Sequence, residues 1–143
     1  MSQQQRVLRL VQEAAFVGTS EYLRAHPVGV VMGGPDVVPV KHTSLQPDLV
    51  YLSKAVSRKI RRKLYLEGAP ELVIEVASPS TRHYDLGTKR KAYERIGVQE
   101  YWFVDVEAST VSILRRSATE DGFAEPEVVR GRNASITTPL LPG

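Results

Sequence analysis

The stretch ELVIEVASPSTRHYDLGTKRKAYERIGVQEYWFVDV, residues 71–106, decides the fold. Its opening seven residues, Glu71 to Ala77, are a short apolar run carrying one internal acid, Glu75. Such a run reads as a strand buried on both faces. Ser78-Pro79-Ser80-Thr81 then supplies N-cap chemistry, which predicts a helix over roughly 82–96 that ends at Gly97. Residues 100–106 and 110–116 read as a hairpin, and a weaker strand is expected near 122–130.

Working outward toward the N-terminus, DLVYL (48–52) is a strand introduced by Pro47. VGVVM (28–32) is another, and the turn residues GGPD (33–36) join it to an expected strand VVPVK, whose Pro39 suits an edge position. Residues 3–24 read as a helix, because Val7, Leu10, Val11, Ala14 and Val17 recur at the spacing of one buried face. SKAVSRKIRRKLYLEG (53–68) reads as a basic connection. Helix, antiparallel strands, crossover helix and further strands add up to an α/β fold with a mixed sheet. The length, 143 residues, suits a single domain over 1–143.

Composition narrows the function. Hydrophobic residues make up 42% and charged residues 24%, an ordinary globular balance. The absence of cysteine excludes disulfides and thiolate-ligated metals. His26, His42 and His83 are far apart in sequence, so a bound metal is expected to have oxygen ligands. The net charge of +3 permits an anionic partner without requiring one. No spanning segment or export signal is visible, and a soluble, cytoplasmic protein is expected.

Three charged positions depart from the apolar pattern. A carboxylate such as Glu75 inside a buried strand is costly unless paired, hydrogen-bonded or bound to metal, although a lone salt bridge would also account for it. Asp48 opens the preceding strand, where a solvated acid is the plain alternative. If the two strands are neighbours, alternation lets both carboxylates converge on one hard cation, magnesium or manganese. Lys89 falls on the helix stripe of Leu86, Ala92, Tyr93 and Ile96, while Lys91 faces the other way. A snorkelling lysine, or an Asp85–Lys89 helix pair, would explain it equally well. The run Arg58-Lys59-Ile60-Arg61-Arg62-Lys63 is by default a solvated charged face.

QPDLVYLS (46–53) and APELVIEVASPSTRHYDLGTKRKAYERIGVQEYWFVD (69–105) closely resemble the PD-(D/E)XK nuclease superfamily, and within it the restriction-endonuclease-like branch known as the Uma-two family. The resemblance implies an α-β-β-β-α-β core and a Mg²⁺-dependent DNA endonuclease, with Mn²⁺ as a substitute. Pro47-Asp48 matches the family's first acid and Glu75 its second. The superfamily's usual lysine position holds Ala77, and Lys89 matches the helix lysine of this branch. Asp48 and Glu75 are thereby implied as metal ligands, with the Val76 carbonyl as a third, and Lys89 as the residue that orients the attacking water. Glu13, Asp85 and Tyr93 are secondary candidates. Beside such a site Arg58, Lys59, Arg61, Arg62 and Lys63 become candidate phosphate contacts. Relative to the family the chain is expected to be trimmed at both ends, and a homodimer is expected by analogy. The rival class is a non-catalytic DNA-binding or interaction module on the same core.

Overall fold

The structure, a computed structural model, describes residues 19–39, 44–77, 85–116, 122–130 and 140, with the side chains of residues 85 and 86 outside it. Residues 19–25 are helical (α1). Strands β1 (Gly29–Gly33) and β2 (Leu49–Ser53) follow, then α2 (Lys54–Ile60) and β3 (Leu72–Ala77). A π-helical turn, Asp85–Lys89, leads into α3 (Arg90–Ile96). The chain continues through β4 (Glu100–Asp105), β5 (Thr110–Arg115) and β6 (Glu127–Arg130).

Among the described residues these six strands form one sheet in sequence order, β1 to β6. Neighbours are antiparallel except β3 and β4, which run parallel with Glu75 beside Phe103. A parallel pair needs a long return connection, and α3 is its helix. All six residues of β3 are buried, as expected of a strand covered on both faces. On one face Val50, Leu52, Val73, Ala77, Tyr101 and Phe103 pack with Ile60 of α2 and Tyr93 of α3. On the other, Leu49, Tyr51, Leu72 and Ile74 pack with Leu23 of α1. The mixed α/β architecture is as the sequence implies.

Several elements differ from the sequence reading. Of VVPVK, residues 37–39 form no strand: Val37 makes only isolated bridges, to Leu45 and Leu66, and residues 40 and 41 lie outside the described residues. Pro39 has no N–H to continue a ladder. Within the connection 53–68 the chain forms α2, started by the Ser53 hydroxyl, which accepts the Val56 N–H at 3.3 Å. Of the expected helix over 82–96, residues 82–84 lie outside the described residues, Asp85–Lys89 form a π turn, and the chain is α-helical from Arg90. Its end is as read: Gly97 adopts φ 100°, left-handed backbone that favours glycine, and its N–H bonds to the Tyr93 carbonyl. The expected strand near 122–130 shortens to Glu127–Arg130. Of the helix over 3–24, only residues from 19 onward are described.

Candidate active site

The β2–β3 register positions the acids. Leu49 pairs with Ile74 and Val50 with Val73, so one further step along the same antiparallel register sets Asp48 across from Glu75. The Asp48 Oδ2 accepts the Val76 N–H at 2.7 Å, which fixes this carboxylate against the end of β3. Alternation turns Glu75 onto the same face as Val73 and Ala77, under α3, where only 2% of it remains exposed.

The crossover helix brings the partners of Glu75. The Lys89 Nζ donates to Glu75 Oε2 at 3.0 Å, and the Tyr93 hydroxyl donates to Oε1 at 2.9 Å. One helical turn separates the two donors, so a single stripe of the helix engages both carboxylate oxygens. Arg116 fixes the other end of α3 by donating to the Glu94 carbonyl at 2.6 Å and the Val98 carbonyl at 3.2 Å.

The electrostatics of this cluster are unbalanced. Burial pushes the Glu75 carboxyl up to about 7, and the Asp48 charge adds to the rise; Lys89 and the Tyr93 hydroxyl pull it back only in part. Tyr93 is pushed up as well, first by burial and then by the Glu75 charge, so it remains a hydrogen-bond donor throughout the physiological range. Among the described residues the two facing carboxylates meet one ammonium, that of Lys89. The donor set is entirely oxygen, which suits a hard divalent cation. Among the described residues no group of three or more acids or histidines stands together, so such an ion would complete its shell from backbone, water or substrate. Magnesium is commonly bound that way, by one or two carboxylates plus phosphate oxygens.

The structure therefore brings Asp48, Glu75, Lys89 and Tyr93 together. Val76 joins them through its amide, where the sequence reading had considered only its carbonyl. Glu13 and the Asp85 side chain lie outside the described residues. Lys91 is exposed, as its helical angle implies. Arg58, Lys59, Arg61 and Lys63 are exposed in and just after α2, whose Ile60 packs on the same sheet face as the acids. Arg62 is engaged within the protein: its Nε meets Glu67 Oε2 at 2.8 Å, and it also donates to the carbonyls of Lys59 and Arg61. Tyr101 and Phe103 are core residues, and the Trp102 indole donates to Glu100. No described helix is long and apolar enough to cross a membrane.

A mixed sheet, six-stranded among the described residues, with one acid just before β2, one on β3 and a lysine in the turn before α3, is an α/β fold of the nuclease-like class. The chain belongs to the Uma2 family, described as "Putative restriction endonuclease", whose model matches residues 2–143. A similar solved structure is a crystal structure described as a "putative nuclease belonging to DUF820" from Anabaena variabilis. The likeness has a TM-score of 0.73 at 15% sequence identity, and covers 99% of this chain and 75% of that one. A comparison with curated proteins gives no match.

Proposed function

We propose that this protein is a divalent-cation-dependent DNA endonuclease with Asp48, Glu75 and Lys89 at its active site. The observation that carries the proposal is the convergence of these three side chains from the residue just before β2, from β3 and from the turn before α3. Membership of a family described as restriction endonuclease supports the same reading.

Hydrolysis of a phosphodiester adds a water oxygen to phosphorus, breaks the bond to one ester oxygen and leaves a proton on that departing oxygen. The reaction requires neutralised phosphate charge and an oriented water. Asp48 and Glu75 would hold Mg²⁺ or Mn²⁺. The Val76 carbonyl leaves β3 on the same edge as the amide that meets Asp48, so it is available to the same ion. The cation, when bound, supplies charge neutralisation at the phosphate and lowers the pKa of water. Lys89, held against Glu75, would orient the attacking water. Tyr93 holds the Glu75 carboxylate in one orientation. Exposed Arg58, Lys59, Arg61 and Lys63 provide sequence-independent attraction for the DNA backbone. A homodimer, cutting both strands with two such sites, belongs to the same proposal.

The test is cleavage of plasmid DNA with Mg²⁺, Mn²⁺ and EDTA by the wild type, Glu75→Gln and Lys89→Ala. Cation-dependent nicking that both variants lose is the expected result. Equal activity in all three proteins would overturn the assignment.

A further inference from the structure

The loop after α2 holds two apolar side chains out among cations. Arg61 and Leu66 form an antiparallel bridge, and the Arg62 N–H donates to the Tyr65 carbonyl at 2.9 Å. Lys63 and Leu64 are thus the two-residue tip of a tight hairpin. Its base is braced from several sides. Leu66 is fully buried, its N–H donates to the Asp36 carbonyl at 2.8 Å, and the Glu67 N–H donates to the Ile60 carbonyl at 2.8 Å. The Arg62–Glu67 ion pair spans the neck. Above this base Leu64 is 82% exposed and Tyr65 40% exposed.

Single exposed apolar residues are common and carry no meaning alone. Here a leucine and an aromatic ring share a braced tip, and exposed Arg61 and Lys63 precede them in sequence. The tip is also tied to the candidate site. Leu66 pairs with Val37, Val37 pairs with Leu45, and the chain runs from Leu45 through Pro47 directly into Asp48.

We infer that the Lys63–Tyr65 tip is a wedge for nucleic acid with an unpaired or unstacked base. Leu64 enters the opened base step, Tyr65 stacks on the exposed base, and Arg61 and Lys63 meet the adjoining phosphates. Cations beside the apolar pair complement a phosphate backbone, and the aromatic ring complements the π face that every base presents. The inference rests on the nuclease reading and deepens it: the favoured substrate is locally distorted DNA and not uniform duplex.

The experiment measures binding to two labelled duplexes, one fully paired and one with a central single-base bulge flanked by 2-aminopurine, with Ca²⁺ in place of Mg²⁺. Wild type should bind the bulged duplex roughly tenfold more tightly, the order expected of one stacked base, and change the 2-aminopurine fluorescence. The double variant Leu64→Ala/Tyr65→Ala should lose that preference while keeping its affinity for the paired duplex. Tyr65→Trp should retain the preference. Because both side chains are exposed, the variants leave the core intact. A double variant that keeps the preference, or that weakens both duplexes equally, overturns the wedge. Wild type that cleaves plasmid DNA with Mg²⁺ but binds both duplexes equally sinks the wedge alone. Wild type that binds neither duplex and leaves plasmid DNA uncut with Mg²⁺ sinks the nuclease reading with it. Binding to phosphatidylserine vesicles in place of DNA would assign the tip to a lipid surface and overturn the inference.

Discussion

Glu75→Gln is the perturbation whose magnitude follows most directly from the structure. Glutamine keeps the shape and the two acceptor or donor positions of a protonated glutamic acid, but never ionises. In the fold the Glu75 carboxyl is pushed up to about 7 from its ordinary 4.5, first by burial and then by Asp48. At about 1.4 kcal/mol per pH unit, that displacement corresponds to roughly 3 kcal/mol. The sign is set by linkage: the folded state binds the proton more tightly than the unfolded chain. The associated stability is therefore fully present below pH 4.5 and is lost as pH rises through about 7. Other groups titrate too, so the informative quantity is the difference between wild type and variant. In EDTA, Glu75→Gln should gain up to roughly 3 kcal/mol on wild type between acid and pH 8. For a chain of this size that is roughly 10 °C in melting temperature.

Cation binding supplies the second half of the same experiment. A ligand that binds only the folded state at a hundredfold excess over Kd adds about 2.7 kcal/mol, enough to offset most of the loss in wild type. Mn²⁺ or Mg²⁺ at pH 8 should accordingly raise the wild-type melting temperature by several degrees more than that of Glu75→Gln. The assay is thermal unfolding followed by circular dichroism from pH 4 upward, with EDTA or cation. Parallel pH curves for the two proteins would refute the claim that an ionised Glu75 strains the fold. Equal cation shifts would refute its role as a ligand.

Lys89→Ala should reduce cleavage by ~10²–10³-fold, whereas Lys91→Ala should resemble wild type in a plasmid assay. Because Lys89 also lowers the Glu75 pKa, a loss fully recovered by raising the pH would mean that it acts only through that carboxylate. Tyr93→Phe removes the other group that stabilises ionised Glu75, so the midpoint of the wild-type stability loss should move to higher pH, read by the same unfolding series. Replacing Arg61 and Lys63 together with alanine should reduce the slope of log K against log salt by roughly 2, measured by DNA titration at several salt concentrations. An unchanged slope would place both outside the phosphate interface.

Local pattern makes one part of this arrangement legible in the sequence, and long-range pairing hides the other. Glu75 stands out because a carboxylate interrupts an apolar run, a property of six consecutive residues. Lys89 stands out because it occupies an apolar helical stripe. The position of Asp48 opposite Glu75 depends on the β2–β3 register, which Leu49 and Ile74 establish only once the strands have met. The short helix Lys54–Ile60 is obscured because only Val56 and Ile60 turn toward the core, and the cations between and after them read as loop. VVPVK misleads in the opposite direction, since its valines suit a strand but its proline cannot sustain a ladder. The lysine position nevertheless follows from topology. Strands β3 and β4 are parallel, so the connecting chain must return across the sheet from the end of β3. The described part of this return carries Lys89 and Tyr93 onto Glu75, near the end of β3. A cation placed just before α3 thus reaches the acid although 14 residues separate them in sequence. Ala77 carries no cation at the end of β3, and the cation that meets Glu75 comes from the crossover.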